Sequence, residues 1–173
     1  MKREHSLNGS LREFDSKDFE SVYRVINEAA RAYKAVLPAD AYHEPQMNRD
    51  ELLQEIRRVR FLLYSENNRV IGVMGYEYVR DVALIRHAYV MPEAQRKGIG
   101  SLMLAKVEQT ITASRKVNRI IIGTYKTATW AISFYRKYGY RESPDSQTAM
   151  TKYYDIPPIQ QLNSLTLEKG FVY

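Results

Sequence analysis

Residues 87–101, reading His-Ala-Tyr-Val-Met-Pro-Glu-Ala-Gln-Arg-Lys-Gly-Ile-Gly-Ser, constrain the fold of this 173-residue chain more than any other stretch. An apolar strand pattern runs into a basic turn with two glycines. Helical spacing begins directly after it, with Ile99, Met103, Val107 and Ile111 recurring every fourth residue to about Ser114. Strand, amide-rich turn and helix N-terminus together suit a phosphate, because first-turn N–H groups lack intrahelical acceptors and the helix dipole adds positive potential. Gly98 and Gly100 let the backbone approach a ligand, Ile99 anchors the helix, and Arg96, Lys97 and Ser101 add charge and a hydroxyl. The stretch is neither a dinucleotide fingerprint, since Met103 stands where a third glycine would, nor a P-loop. By composition alone, an ordinary basic turn before a helix explains it equally well.

The rest of the pattern is α/β. Val82–Val90 is apolar on both faces apart from Arg86 and His87, as in a strand covered on both sides, and Arg119–Thr124 is a second buried strand. A helix of this length between them argues for a parallel pair and a right-handed crossover. Upstream, Leu11–Phe14 reads as a short strand, and Asp15 or Ser16 caps a helix that buries Phe19, Val22, Tyr23, Ile26, Ala29, Ala30 and Tyr33. Pro38 marks its end, and a polar loop, Ala39–Gln46, follows. Asn48 and Glu51 form a capping box for a second helix with the stripe Leu52, Leu53, Ile56 and Val59. Phe61–Ser65 and Arg69–Val79 read as a hairpin about Glu66-Asn67-Asn68. A short helix from Ala128 or Thr129 to Tyr138 stops at Gly139, Tyr140–Glu142 is extended, and Leu165–Glu168 alternates as a last strand. Residues 143–163 resist reading, broken by Pro144, Pro157 and Pro158, with Met150–Tyr154 taken as extended. The expectation is one α/β domain over 1–173, with 1–9 a flexible N-terminus.

Composition excludes several functions. With no cysteine, a thiol nucleophile, a cysteine-based zinc site and a disulfide framework are absent, which suits a reducing, cytoplasmic setting. No apolar run approaches the ~20 residues of a spanning helix, and the charged N-terminus lacks a signal-peptide core. A net charge of +6 invites an anionic partner. Nucleic acid ranks low, because no aromatic-basic face or nucleic-acid motif is present.

The turn is decided by its company, for the chain resembles the GNAT superfamily of acyl-CoA-dependent N-acetyltransferases. Gln95 to Gly100 stands as Q/R-x-x-G-x-G/A, preceded by Val90-Met91-Pro92, and the second family pattern follows as Ala131, Phe134-Tyr135 and Gly139-Tyr140. The ending Leu165–Lys169 looks like the family's last strand. The resemblance implies a mixed, largely antiparallel sheet flanked by helices, with splayed central strands. It implies that acetyl-CoA is the co-substrate and that no metal is used. The amides of Gln95, Arg96, Lys97, Gly98, Ile99, Gly100 and Ser101 would hold its pyrophosphate, and backbone near Ala88, Tyr89 and Val90 would pair with the pantetheine arm, an N–H there polarising the thioester carbonyl. One departure stands out: the family often has asparagine where this chain has Ala128, between Thr127 and Thr129.

The chemistry sets its own demands. An amine must lose its proton before attacking a thioester, and the leaving thiolate must gain one. Tyr135 matches the family's acid. His43 and Glu44, in the loop bordering the family's acceptor site, are the candidates for base or substrate contact, with His87, Glu77, Tyr78 and Asp81 behind them. Trp130 reads as a core or cap aromatic. The acceptor is a small-molecule amine or a protein or peptide amine, with no membrane or nucleic-acid partner and with room for a homodimer. A non-catalytic acyl-CoA sensor is the alternative.

Overall fold

The computed structural model describes residues 7–173. Seven strands hydrogen-bond in the order β1-β2-β3-β4-β5-β7-β6, giving the mixed, mostly antiparallel sheet with flanking helices expected from the sequence. By internal contacts the chain divides into two compact units. One holds residues up to Arg31, Glu44–Gly75 and His87–Thr110; the other holds Ala32–His43, Tyr76–Arg86 and Ile111–Tyr173.

In the first unit, β1 (Ser10–Glu13) pairs antiparallel with β2 (Arg60–Glu66), from Ser10 opposite Ser65 to Glu13 opposite Leu62. β3 (Arg69–Val79) follows β2 through Asn67 and Asn68, at φ 49° and 61°. Two left-handed residues make a hairpin turn whose twist matches the strands, and asparagine tolerates that conformation. Asp15 caps a 3₁₀ turn leading into α1 (Phe19–Ala30), which buries Val22, Val25 and Ile26. Asp18 accepts two bonds from Arg12, at 2.6 and 2.7 Å, and one from its own turn. α2 (Arg49–Glu55) carries the anticipated Asn48/Glu51 box. Its stripe is narrower than expected: Leu52 is fully buried but Leu53 is 45% exposed, because a helix of seven residues turns one side to the core. Gly9 donates to the Tyr64 hydroxyl, while residues 1–6 of the expected flexible stretch lie outside those described.

α3 (Ile99–Ser114) packs on β3 in this unit, and Gly72 makes that possible. A Cβ there would stand 2.9 Å from Met103 Sδ and 3.3 Å from Ile99 Cγ2. The close approach fixes the start of α3 against the end of β4 (Val82–Val90), where Met91 N–H donates to Ile71 O at 2.9 Å.

In the second unit, β4 pairs parallel with β5 (Arg119–Tyr125) over Ala83–Ile85 and Ile120–Ile122, as the strand-helix-strand order required. β7 (Ser164–Gly170) pairs antiparallel along all of β5, and β6 (Arg141–Glu142) pairs with β7. α4 (Thr129–Lys137) ends at Gly139, φ +89°. Residues 150–153 are helical, not extended: α5 (Ser146–Tyr153) is capped by Asp145, and its Met150 and Tyr153, with Tyr154 just past its end, are buried with Val82, Leu84 and Ile121. Those three residues stand at i, i+3 and i+4, a helical spacing obscured by Pro144. α6 (Pro158–Leu162) follows. Trp130 is not core: it is 46% exposed and stacks on Tyr33 at 5.9 Å.

Glu77 and Arg86 form a buried ion pair at 2.8 Å in this unit, with the guanidinium 5.6 Å from the centre of the Tyr154 ring. Removing one partner strands the other charge. Glu77→Ala is expected to destabilise the fold by about 3–5 kcal/mol, whereas replacing both by apolar residues of similar volume costs little. Urea midpoints of the two variants check this; equal losses would contradict it.

Candidate active site

The 95–101 turn has the geometry its sequence suggested. Arg96 adopts φ +60° and Gly98 φ +90°. Left-handed residues in a turn aim successive N–H groups into one concavity, which favours an anion. A Cβ at Gly98 would meet only Leu7 Cδ1, at 4.0 Å. Protein packing therefore does not require the glycine; its conformation and an open approach do. The first helical bond of α3 runs from Leu102 N–H to Gly98 O at 3.0 Å, so the Ile99 and Gly100 amides precede the ladder. Arg96 and Lys97 are exposed beside them and Ile99 is buried. Gln95 does something its motif position did not reveal: its side-chain amide donates to Val90 O at 3.0 Å and ties the turn to the end of β4. Ala88, Tyr89 and Val90 are half-buried.

Tyr135, on α4, is 6% exposed, with Phe134 and Tyr140 ring centres at 5.1 and 5.7 Å. Burial, reinforced by the phenols of Tyr33 and Tyr154, raises its pKa well above the ordinary tyrosine value. The phenol thus stays protonated and able to donate at any physiological pH. Ala128, which replaces the usual asparagine, is fully buried at the N-terminal edge of α4, and Thr127 and Thr129 beside it are exposed.

His43 and Glu44 are both exposed, His43 in the second unit and Glu44 in the first. His43 Nε2 lies 3.2 Å from Gln160 Nε2 of α6, so the 39–43 part of the polar loop meets the 143–163 segment. Of the reserve candidates, Glu77 is committed to Arg86, Tyr78 bonds Ser114 at 3.0 Å, and Asp81 accepts from Tyr153 at 3.0 Å. Glu55, which no motif marked, lies 2.6 Å from His87. Among the described residues no cluster of three or more histidine, aspartate or glutamate side chains is arranged for a metal, and no helix is long and apolar enough to cross a membrane.

A strand ending in a left-handed, amide-rich turn at a helix start, on a seven-stranded mixed sheet, is an arrangement suited to a phosphate-bearing ligand. The chain belongs to the acetyltransferase (GNAT) family, whose pattern matches residues 20–140. Its fold is similar to that of the PaiA N-acetyltransferase of Thermoplasma acidophilum in complex with coenzyme A, at TM-score 0.74 and 18% identity over 95% of this chain and all of that one. It is also similar to the ribosomal-protein-S18-alanine N-acetyltransferase of Escherichia coli, at TM-score 0.70 and 15% identity over 95% of each chain. The N-acetylglutamate synthase of Neisseria gonorrhoeae, complexed with coenzyme A and N-acetyl-glutamate, matches at TM-score 0.68 and 18% identity over 97% of this chain and 36% of that one. In sequence, the UPF0157 protein YqkA of Bacillus subtilis is 31% identical over 90 residues, 52% of this chain, and the match spans only a quarter of that curated relative's length.

Proposed function

We propose that the protein transfers an acetyl group from acetyl-CoA to a primary amine by direct attack. The observation that most supports this reading is the left-handed turn at Arg96 and Gly98, open where a Gly98 side chain would stand and followed by the first turn of α3. In this reading the amides of Arg96–Ser101 hold the pyrophosphate, with Arg96 and Lys97 adding charge, and Gln95 braces the turn instead of touching ligand. Backbone at Ala88–Val90 aligns the pantetheine arm, and one N–H there draws charge onto the thioester oxygen. The coenzyme supplies the activated acyl group; the chain supplies orientation and protons. Tyr135, held protonated by burial, donates to the departing sulfur. The chain acts as one transferase domain in the cytoplasm.

The acceptor side belongs to the polar loop and the 143–163 segment, where His43 meets Gln160, with Glu44 next in the chain. The ribosomal-protein-S18-alanine N-acetyltransferase and the N-acetylglutamate synthase among the similar structures favour an amine-bearing acceptor, small or peptidic. The test is thiol release from acetyl-CoA across a panel of small amines and peptide N-termini. Release that depends on one class of amine is expected. A protein that binds acetyl-CoA yet releases no thiol with any amine would favour the acyl-CoA sensor, a reading kept in view by Ala128 in place of the usual asparagine.

A further inference from the structure

Where α4 gives way to β6, the chain folds around a cavity of about 430 Å³ lined by Arg136, Gly139, Tyr140, Arg141 and Glu142, all within the second unit. Local geometry builds it. Gly139, at φ +89°, ends α4 and turns the chain back, its N–H bonded to Arg136 O at 3.1 Å and the Tyr140 N–H to Tyr135 O at 3.2 Å. The turn brings Arg136, in the last turn of α4, and Arg141, the first residue of β6, to one opening. Both walls are fixed, for Arg141 and Glu142 pair with β7 and the buried Tyr140 ring lies 5.7 Å from that of Tyr135.

The charges at this opening are uncompensated. Among the described residues, Arg136, Arg141 and Glu142 make no side-chain hydrogen bond or ion pair, although Arg141 and Glu142 are neighbours in the chain. Lys169 borders the same place, with Nζ 5.5 Å from the centre of the Tyr140 ring and Cε 3.7 Å from where a Gly139 Cβ would stand. Cations in the last turn of a helix complement its dipole, which accounts for Arg136 and Lys137. It does not account for Arg141, which lies outside the helix, nor for a concavity between the two arginines.

We propose that this cavity is a second ligand site, for a small phosphate monoester that carries hydroxyl groups. The proposal stands apart from the acetyl-transfer reading. A guanidinium presents a planar fork that engages two oxygens at once. A carboxylate, with two oxygens, fills one fork; a terminal phosphate, with three, bridges both. A bare phosphate would leave most of the space empty, and the volume falls within the roughly 300–1,000 Å³ of small-molecule sites. Glu142, ionised and able only to accept, opposes the phosphate and accepts from a hydroxyl of the body attached to it, which selects an ester over the free ion.

The test follows the backbone amide resonances of isotope-labelled protein during titration with inorganic phosphate, glycerol phosphate and glycerol at constant ionic strength. Saturable shifts centred on residues 139–142 are expected with both phosphates and none with glycerol. Glycerol phosphate should bind about tenfold tighter than the free ion, as one hydrogen bond to a charged carboxylate allows. Arg136→Gln and Arg141→Gln should each weaken the ester by about tenfold, the worth of a charge-assisted contact. Glu142→Gln should tighten inorganic phosphate and shrink the ester's advantage, a gain that a merely structural role does not produce. All three side chains are exposed, so the variants are expected to fold. Shifts spread over the basic surface, shifts unaffected by the arginine substitutions, or an ester that binds no better than the free ion would overturn the site. Displacement of glycerol phosphate from residues 139–142 by saturating acetyl-CoA would also overturn it, by making the cavity part of the coenzyme's seat. Failure to bind acetyl-CoA, with the shifts at residues 139–142 intact, removes the acetyl-transfer reading and leaves this site standing.

Discussion

Gly98→Val is expected to abolish acetyl-CoA binding in a protein that still folds. The backbone at Gly98 has φ +90°, which a β-branched residue adopts only under strain of about 1–3 kcal/mol. That is a fraction of the 5–15 kcal/mol typical of a domain. No clash adds to it, since the nearest heavy atom to a Cβ there is Leu7 Cδ1 at 4.0 Å. The side chain would instead fill the approach to the Arg96–Ser101 amides, so the loss falls on the ligand. Gly98→Ala, smaller and unbranched, should bind weakly, between the two. Titration of acetyl-CoA into each variant, with circular dichroism to verify folding, checks the order. A folded Gly98→Val protein that binds as the wild type does would move the pyrophosphate elsewhere.

Tyr135→Phe is expected to lower kcat about 100-fold, the ordinary worth of a positioned acid, with acetyl-CoA affinity nearly unchanged. The substitution keeps the ring against Phe134 and Tyr140 and removes only the hydroxyl. Burial raises the phenol's pKa, so the donor's proton remains bound through and above the usual tyrosine range. Turnover in the wild type should therefore show no alkaline decline from Tyr135 below that range. Unchanged turnover in Tyr135→Phe would remove the residue from the mechanism.

What could be read from the chain was what local chemistry dictates. The Asn48/Glu51 box, the Asn67-Asn68 turn, the helix beginning at Ile99 and the stop at Gly139 each depend on residues a few positions apart. The parallel pairing of β4 and β5 followed from the helix between them. Reading failed where burial outweighs local signals. Leu53 falls on the apolar stripe by spacing, yet α2 is only seven residues long and turns Leu52, not Leu53, to the core. α5 was missed because Pro144 stands just before its cap, although Met150, Tyr153 and Tyr154 carry its spacing. Trp130, read as a core or cap aromatic, is not core: it lies against Tyr33 with nearly half its surface exposed.

The candidate site divides along the same line. The turn and Tyr135 stand out as candidates in the sequence because each belongs to a continuous motif. Glu55 does not, since its partner His87 comes thirty-two residues later and no periodicity joins the end of a helix to the middle of a strand. Gln95 was legible as a motif residue but not as a brace, because its contact with Val90 O depends on the fold of the turn.

The central claim, that the turn after β4 seats the acetyl-CoA pyrophosphate, is tested most directly by the melting temperature of the wild-type protein with and without acetyl-CoA. At a concentration about 100 times the dissociation constant, binding should add about 2.7 kcal/mol, which in a domain of this size raises the midpoint by roughly 5–10 °C. A midpoint that does not move at any accessible acetyl-CoA concentration would contradict the account.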